Sequence, residues 1–243
     1  EWTGSDSTWQ WSEAASAAKT FLHQQQLRSA LHRQESASML PALLLEPRQD
    51  HWVLDMCAAP GSKSIQLLEA MESDAARSHD GAGSGVLVAN DASLARTISL
   101  THRLTSVNVA SPHAVVTSFD ARWWPDALLT SARGRPVRFD RVLCDVPCSG
   151  DGTLRKRHAN TPAWSLEHAT ALHASQVRLL RQGLRQLAVG GRLVYSTCSF
   201  NPIENEAAVA AALRALGDEY ELEDPRTTQP HLFRARAARL PPP

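Results

Sequence analysis

The chain has 243 residues, 43% of them apolar and 21% charged, and its 25 basic side chains balance 25 acidic ones at zero formal net charge. That is the composition of an ordinary folded domain, one large or two small, and it excludes wholesale disorder and collagen-like architecture. It also disfavours a cationic nucleic-acid binder driven by basic tails, so a polyanion partner has to be held by a local patch.

No apolar run approaches the roughly 18–20 residues that span a bilayer; the longest, Met39 to Leu45, is interrupted by Pro41. The chain opens on Glu1 without a basic-then-apolar leader and ends Leu240-Pro241-Pro242-Pro243, so it is read as an excerpt of a longer protein. Four cysteines, Cys57, Cys144, Cys148 and Cys198, are too few for a disulfide scaffold, and no pair has C-x-x-C spacing. An intracellular address and no bound metal are therefore expected.

Residues 2–31 carry Trp2, Trp9 and Trp11 and then an Ala/Gln-rich stretch of helical character, which continues from Arg33 to Leu45. From Trp52 the pattern changes to short apolar strands alternating with amphipathic helices. Strands are predicted at 53–56, 86–89, 114–117, 139–146 and 192–196, and helices at 62–71, 92–104, 165–187 and 201–216. Glu72 to Gly85 reads as a surface loop. Alternation of this kind implies an α/β fold: a Rossmann-like, mostly parallel sheet with helices on both faces. The divisions are an N-terminal helical extension (1–45), a catalytic domain (46–220) and a Pro/Arg-rich, poorly ordered tail (221–243).

In such a sheet ligands lie outside the carboxyl ends of the strands, and here the strand ends carry the chemistry. The first is followed by Cys57-Ala58-Ala59-Pro60-Gly61-Ser62-Lys63. Small residues let the backbone approach a ligand, and a helix start plus Lys63 favours an anion. A phosphate loop would need glycine where Cys57 and Ser62 stand, and G-x-G-x-x-G is missing. Asp91 closes the second strand, placed for ribose hydroxyls. Asp120 follows the third, suited to an exocyclic adenine amine. A carboxylate, a ribose and an adenine fit S-adenosyl-L-methionine better than NAD.

The fourth strand ends Asp145-Val146-Pro147-Cys148 and the fifth Ser196-Thr197-Cys198-Ser199. Adjacent parallel strands would bring Cys148 and Cys198 to one crevice. Asn201-Pro202-Ile203-Glu204 reads as a helix N-cap, first-turn proline and N3 glutamate, which would set Cys198 beside a helix N-terminus that favours thiolate. Base-nitrogen methylases carry [DN]-P-P-[YF] at this strand end; here a thiol stands instead. Carbon methylation needs a thiol, because cytosine C5 becomes nucleophilic only after a nucleophile adds at C6. These residues leave open which of the two thiols attacks.

The sequence resembles the RNA cytosine-5 methyltransferases of the NOL1/NOP2/Sun group, most closely the eukaryotic tRNA-type branch. The resemblance runs from about Arg33 to Leu216. It is anchored on Arg33-Gln34-Glu35, Met39 to Leu45, Asp55 to Lys63, Asn90-Asp91, Asp145 to Gly152 and Tyr195 to Glu206. It implies that Cys57 to Lys63 hold S-adenosyl-L-methionine with Asp91, Asp120 and Asp145. It further implies that Cys198 attacks, that Asp145 contacts the cytosine amide edge, and that Cys148 serves product release. The implied substrate is RNA, with tRNA expected and rRNA or DNA as alternatives, and a nuclear or nucleolar address favoured over cytoplasm. A catalytically silent RNA-binding scaffold is the rival in another class. Arg155, Lys156 and Arg157 form the best basic patch for phosphates. No membrane or metal partner is expected, and oligomeric state is not legible.

Overall fold

The computed structural model describes residues 13–28, 31–77, 85–106, 114–125, 129–130, 134, 136–156 and 165–233. Two helices, α1 (Glu13–Leu27) and α2 (Ser36–Leu45), precede β1 (Trp52–Asp55), α3 (Ser62–Arg77), β2 (Val86–Asn90), α4 (Leu94–Ser106) and β3 (Ala114–Thr117). Then come β4 (Phe139–Asp145), α5 (Leu166–Gln186), β5 (Leu187–Ser196), α6 (Glu206–Leu216), and the short helices α7 (Pro225–Thr228) and α8 (Pro230–Phe233). The five strands form one sheet in the order β3-β2-β1-β4-β5, and every pairing is parallel. The predicted Rossmann-like α/β sheet is present, and β1 lies at its centre.

Strand alternation explains the two layers. Val53 and Leu143 point into a core with Leu45, Ile65, Leu87 and Leu100, shared by α2, α3 and α4. Their neighbours Leu54, Val142 and Cys144 point the other way, onto Phe139, Trp124 and Leu179 of α5. Period-2 side chains on a sheet covered on both faces produce this division. α6 closes the second layer by packing Ala212 against Leu180 and Leu184 of α5.

Four departures from the sequence-based expectation are more than small shifts of an element's ends. α3 runs on to Arg77, into the expected loop, because nothing before residue 78 breaks its apolar spacing. β5 begins at Leu187, five residues early, with a register shift opposite Phe139/Arg141 that accommodates Gly190-Gly191. Residues 221–233, expected to be poorly ordered, fold back: buried Gln229 donates Nε2–H to the Leu44 carbonyl at 2.9 Å, and Glu223 pairs with Arg192 at 3.0 Å. Finally, α6 starts at Glu206, not at Asn201; its N-cap is Asn205, and residues 202–205 form a turn.

Candidate active site

The loop after β1 is stitched to β2. Ala58 N–H donates to the Asn90 carbonyl at 2.7 Å, and Gly61 N–H to that of Ala58 at 2.7 Å. Gly61 has φ +102°, and a Cβ there would stand 2.8 Å from Leu100 Cδ1, so this turn takes only glycine. Asn90, fully buried, ties three strand ends together: its amide donates to the Met56 and Phe119 carbonyls, and its oxygen accepts from Thr117 Oγ1 and Phe119 N–H.

A cavity of about 240 Å³ opens above this loop, walled by Cys57, Ala58, Ala59, Pro60, Ser62 and Lys63, by Asp55 and Asp145, and by Arg33, Gln34, Glu35 and Ser38. The N-terminal segment thus forms part of the wall, joined to α3 by Gln34 Nε2 donating to Gln66 Oε1 at 3.2 Å. Lys63 Nζ reaches Asp145 Oδ2 at 2.7 Å, and Ser196 Oγ donates to Asp145 Oδ1 at 2.6 Å. Asp145 is therefore held by α3 on one side and β5 on the other.

Asp55 is a site residue that sequence reasoning missed; an acid closing an otherwise apolar strand was the available signal. It is 1% exposed, Ser64 Oγ donates to its Oδ2 at 2.7 Å, and Oδ1 makes no well-formed hydrogen bond among the described residues. Burial, with Asp145 adding, pushes its pKa up to about 7 against weaker opposition from Ser64 and Lys63. A carboxyl raised in the fold contributes stability that is complete below its unfolded pKa near 4 and is lost as pH climbs to about 7. Three pKa units correspond to a loss of about 4 kcal/mol. Asp55→Asn is accordingly expected to stabilise the fold at pH 8 and leave it nearly unchanged at pH 4. Urea unfolding of both proteins at the two pH values measures this; an equal difference at both would refute it.

Asp91 does not line the cavity. It is 3% exposed beneath the loop, accepting from Ala59 N–H at 3.3 Å and Ser93 N–H at 3.0 Å and pairing with Arg96 at 3.3 Å. Asp120 is also outside the cavity: it caps the short turn Ala121–Trp123 and pairs with Arg122 at 2.6 Å, which holds its carboxyl below the usual range. Arg155 and Lys156 lie on a 3-10 turn, Asp151–Lys156, whose side chains at these positions fall outside the description, and Arg157 lies outside the described residues.

The two thiols do meet. Cys148, half-buried after β4, and Cys198, exposed after β5, have their sulfurs 3.1 Å apart, and Cys198 N–H donates to Cys148 Sγ at 3.2 Å. The hydrogen bond from Cys148 outweighs burial and the Asp145 charge and, with help from Lys63, lowers the Cys198 thiol to about 7. Cys148 is pushed up in return by that same bond and by burial. The thiolate is thus favoured by its partner sulfur; the predicted helix N-terminus beside it is displaced to Asn205–Glu206. Burial pushes Cys57 and Cys144 well up, which disfavours the thiolate in both. Gly152 lets the loop after β4 touch the Cys198 backbone: its N–H donates to the Cys198 carbonyl at 2.9 Å, and a Cβ would sit 2.7 Å from that oxygen.

A doubly wound parallel sheet with a glycine-turn loop after β1 and paired thiols after β4 and β5 defines a Rossmann-like methyltransferase domain. The chain belongs to the 16S rRNA methyltransferase RsmB/F family, whose model matches residues 42–239. It is 46% identical over 209 residues to the multisite-specific tRNA:(cytosine-C(5))-methyltransferase of Saccharomyces cerevisiae, covering 85% of this chain and 30% of that protein. It is 44% identical over 221 residues to trm4b, the multisite-specific tRNA:(cytosine-C(5))-methyltransferase of Schizosaccharomyces pombe, covering 84% and 32%. Among solved structures, NSun6 from Pyrococcus horikoshii with SFG superposes with a TM-score of 0.63 at 28% identity, covering 77% of this chain and 43% of that one. The chain spans about a third of the length of the curated relatives it matches.

Proposed function

We propose that the protein transfers a methyl group from S-adenosyl-L-methionine to C5 of cytosine in RNA, with tRNA as the substrate. The observation that carries this reading is the sulfur pair at 3.1 Å, one member of it lowered toward neutral pH. The similarity to tRNA cytosine-C5 methyltransferases supports the choice of RNA.

The residues present suit the cofactor. The buried Asp55 Oδ1 in the cavity wall, with no well-formed hydrogen bond among the described residues, fits an ammonium group, and the small residues Ala58 and Ala59 leave the loop backbone open to a ligand. Asp55 and Cys57 to Lys63 would hold it, while Asp91 shapes the loop from below through the Ala59 N–H. When bound, S-adenosyl-L-methionine supplies an electrophilic sulfonium methyl.

Cys198 thiolate adds to C6 of the pyrimidine, which places electron density on C5. Asp145, held by Lys63 and Ser196, faces the N3/N4 edge of the ring and favours the adduct. Once C5 carries the methyl group, its proton passes to solvent water, the C5–H electron pair restores the C5–C6 double bond, and the C6–S bond breaks with its electrons returning to Cys198 as thiolate; Cys148, in hydrogen-bond contact with that sulfur, assists the departure. Reaching both thiols requires turning the base out of its stack, at roughly a few kcal/mol.

The test is incorporation of labelled methyl from S-adenosyl-L-methionine by the full-length protein into purified tRNA, rRNA and DNA. Label in tRNA cytosine is expected. Label confined to rRNA would move the substrate assignment, and RNA binding without label would leave a scaffold.

A further inference from the structure

Each thiol is followed by a serine, Cys148-Ser149 and Cys198-Ser199, and both serines meet one carboxylate. Glu204, with no solvent exposure, accepts Ser149 N–H and Gln176 Nε2–H at 2.9 Å each on Oε2. Its Oε1 accepts the Ser149 hydroxyl, and the Ser199 hydroxyl at 2.7 Å. The two hydroxyls are themselves 3.2 Å apart. Gln176 also donates to the Pro147 carbonyl at 3.0 Å, so α5 supports the same loop from beneath. Four donors on one buried carboxylate keep it ionised despite burial, and its pKa lies below the ordinary value.

We propose that Glu204 is a positioning residue that locks the two cysteine loops in one register and so holds the sulfurs close enough to share a proton. The inference rests on the function proposed above for its purpose, though not for its geometry. A hydrogen bond between thiols does not survive a shift of about 1 Å. The turn at 202–205, where a first helical turn was expected, places this carboxylate: residues 201–205 bend so that Glu204 faces the loops while Asn205 Oδ1 accepts from Thr197 Oγ1 at 2.7 Å. The loops keep other links, Gly152 N–H to the Cys198 carbonyl and Phe200 N–H to Asp151 Oδ1. Loss of Glu204 therefore loosens the pair without freeing it.

Glu204→Gln keeps the volume but turns an amide N–H toward existing donors. In the full-length variant, the pH midpoint for iodoacetamide alkylation of Cys198 is expected to rise by about one unit or more, toward the ordinary thiol range. Bridging of the two thiols by dibromobimane should fall about tenfold, with S-adenosyl-L-methionine affinity changed less than about twofold. Removing a negative charge through space would lower the midpoint, so the sign separates positioning from electrostatics. If Glu204→Gln does not fold, Ser199→Ala, which removes one donor only, should show the same directions at smaller size. An unchanged midpoint and unchanged bridging in the folded variant would overturn the proposal. Neither thiol assay involves RNA: a wild-type protein that fails to methylate any nucleic acid but responds to Glu204→Gln sinks the function alone.

Discussion

Cys198→Ala is expected to lower methyl transfer by about 10⁴-fold or more, the scale lost with a covalent nucleophile, while S-adenosyl-L-methionine binding stays within about twofold. Cys198 is exposed at the end of β5, and it is absent from the wall of the cavity, so its sulfur can be removed without touching the cofactor loop. The wild-type rate should climb about tenfold per pH unit below the Cys198 pKa near 7 and flatten above it, since only the thiolate adds to a pyrimidine. Radiolabel transfer and calorimetric cofactor titration measure the two halves. Retained turnover in Cys198→Ala would dismiss Cys198 as nucleophile.

Cys148→Ala is expected to do the reverse: a covalent protein–RNA species that survives denaturing electrophoresis, with turnover falling to near zero. Adduct formation needs only Cys198, whereas release requires the C5 proton to leave and the C6–S bond to break, and Cys148 is the group touching that sulfur. The substitution also removes the hydrogen bond that lowers Cys198, so adduct should accumulate fastest above about pH 8, where an ordinary thiol ionises. An adduct in Cys198→Ala and none in Cys148→Ala would exchange the two roles.

Much of the site is legible in the sequence because it lies at strand ends. Val53 to Asp55, Val86 to Asn90 and Phe139 to Asp145 announce themselves as strands, and a parallel sheet gathers the loops after its strands at one edge. That is why Cys148 and Cys198, fifty positions apart in sequence, can be paired from the strand pattern alone. Lys63 and Asp145 both stand out in the sequence, yet their 2.7 Å contact does not, because a salt bridge between α3 and β4 has no local signature. Asp91 and Asp120 look alike in sequence. Only their neighbours, Arg96 and Arg122, show that each is already engaged.

Asn201 to Glu204 shows the limit most clearly. Locally it has every mark of a helix start, and Pro202 and Glu204 would be stable there. Four donors from the loop after β4, α5 and the Cys198 loop compete for the same carboxylate, and a buried charge with four hydrogen bonds outweighs a capping preference of about 1 kcal/mol. Short apolar runs alternating with amphipathic helices were sufficient to specify a doubly wound sheet and the edge where its chemistry gathers, because a strand buried on both faces is a local pattern repeated five times. Which groups touch at that edge depended on contacts between residues far apart in the chain, where hydrogen-bond competition in a dry interior decides and no short window of sequence records the outcome.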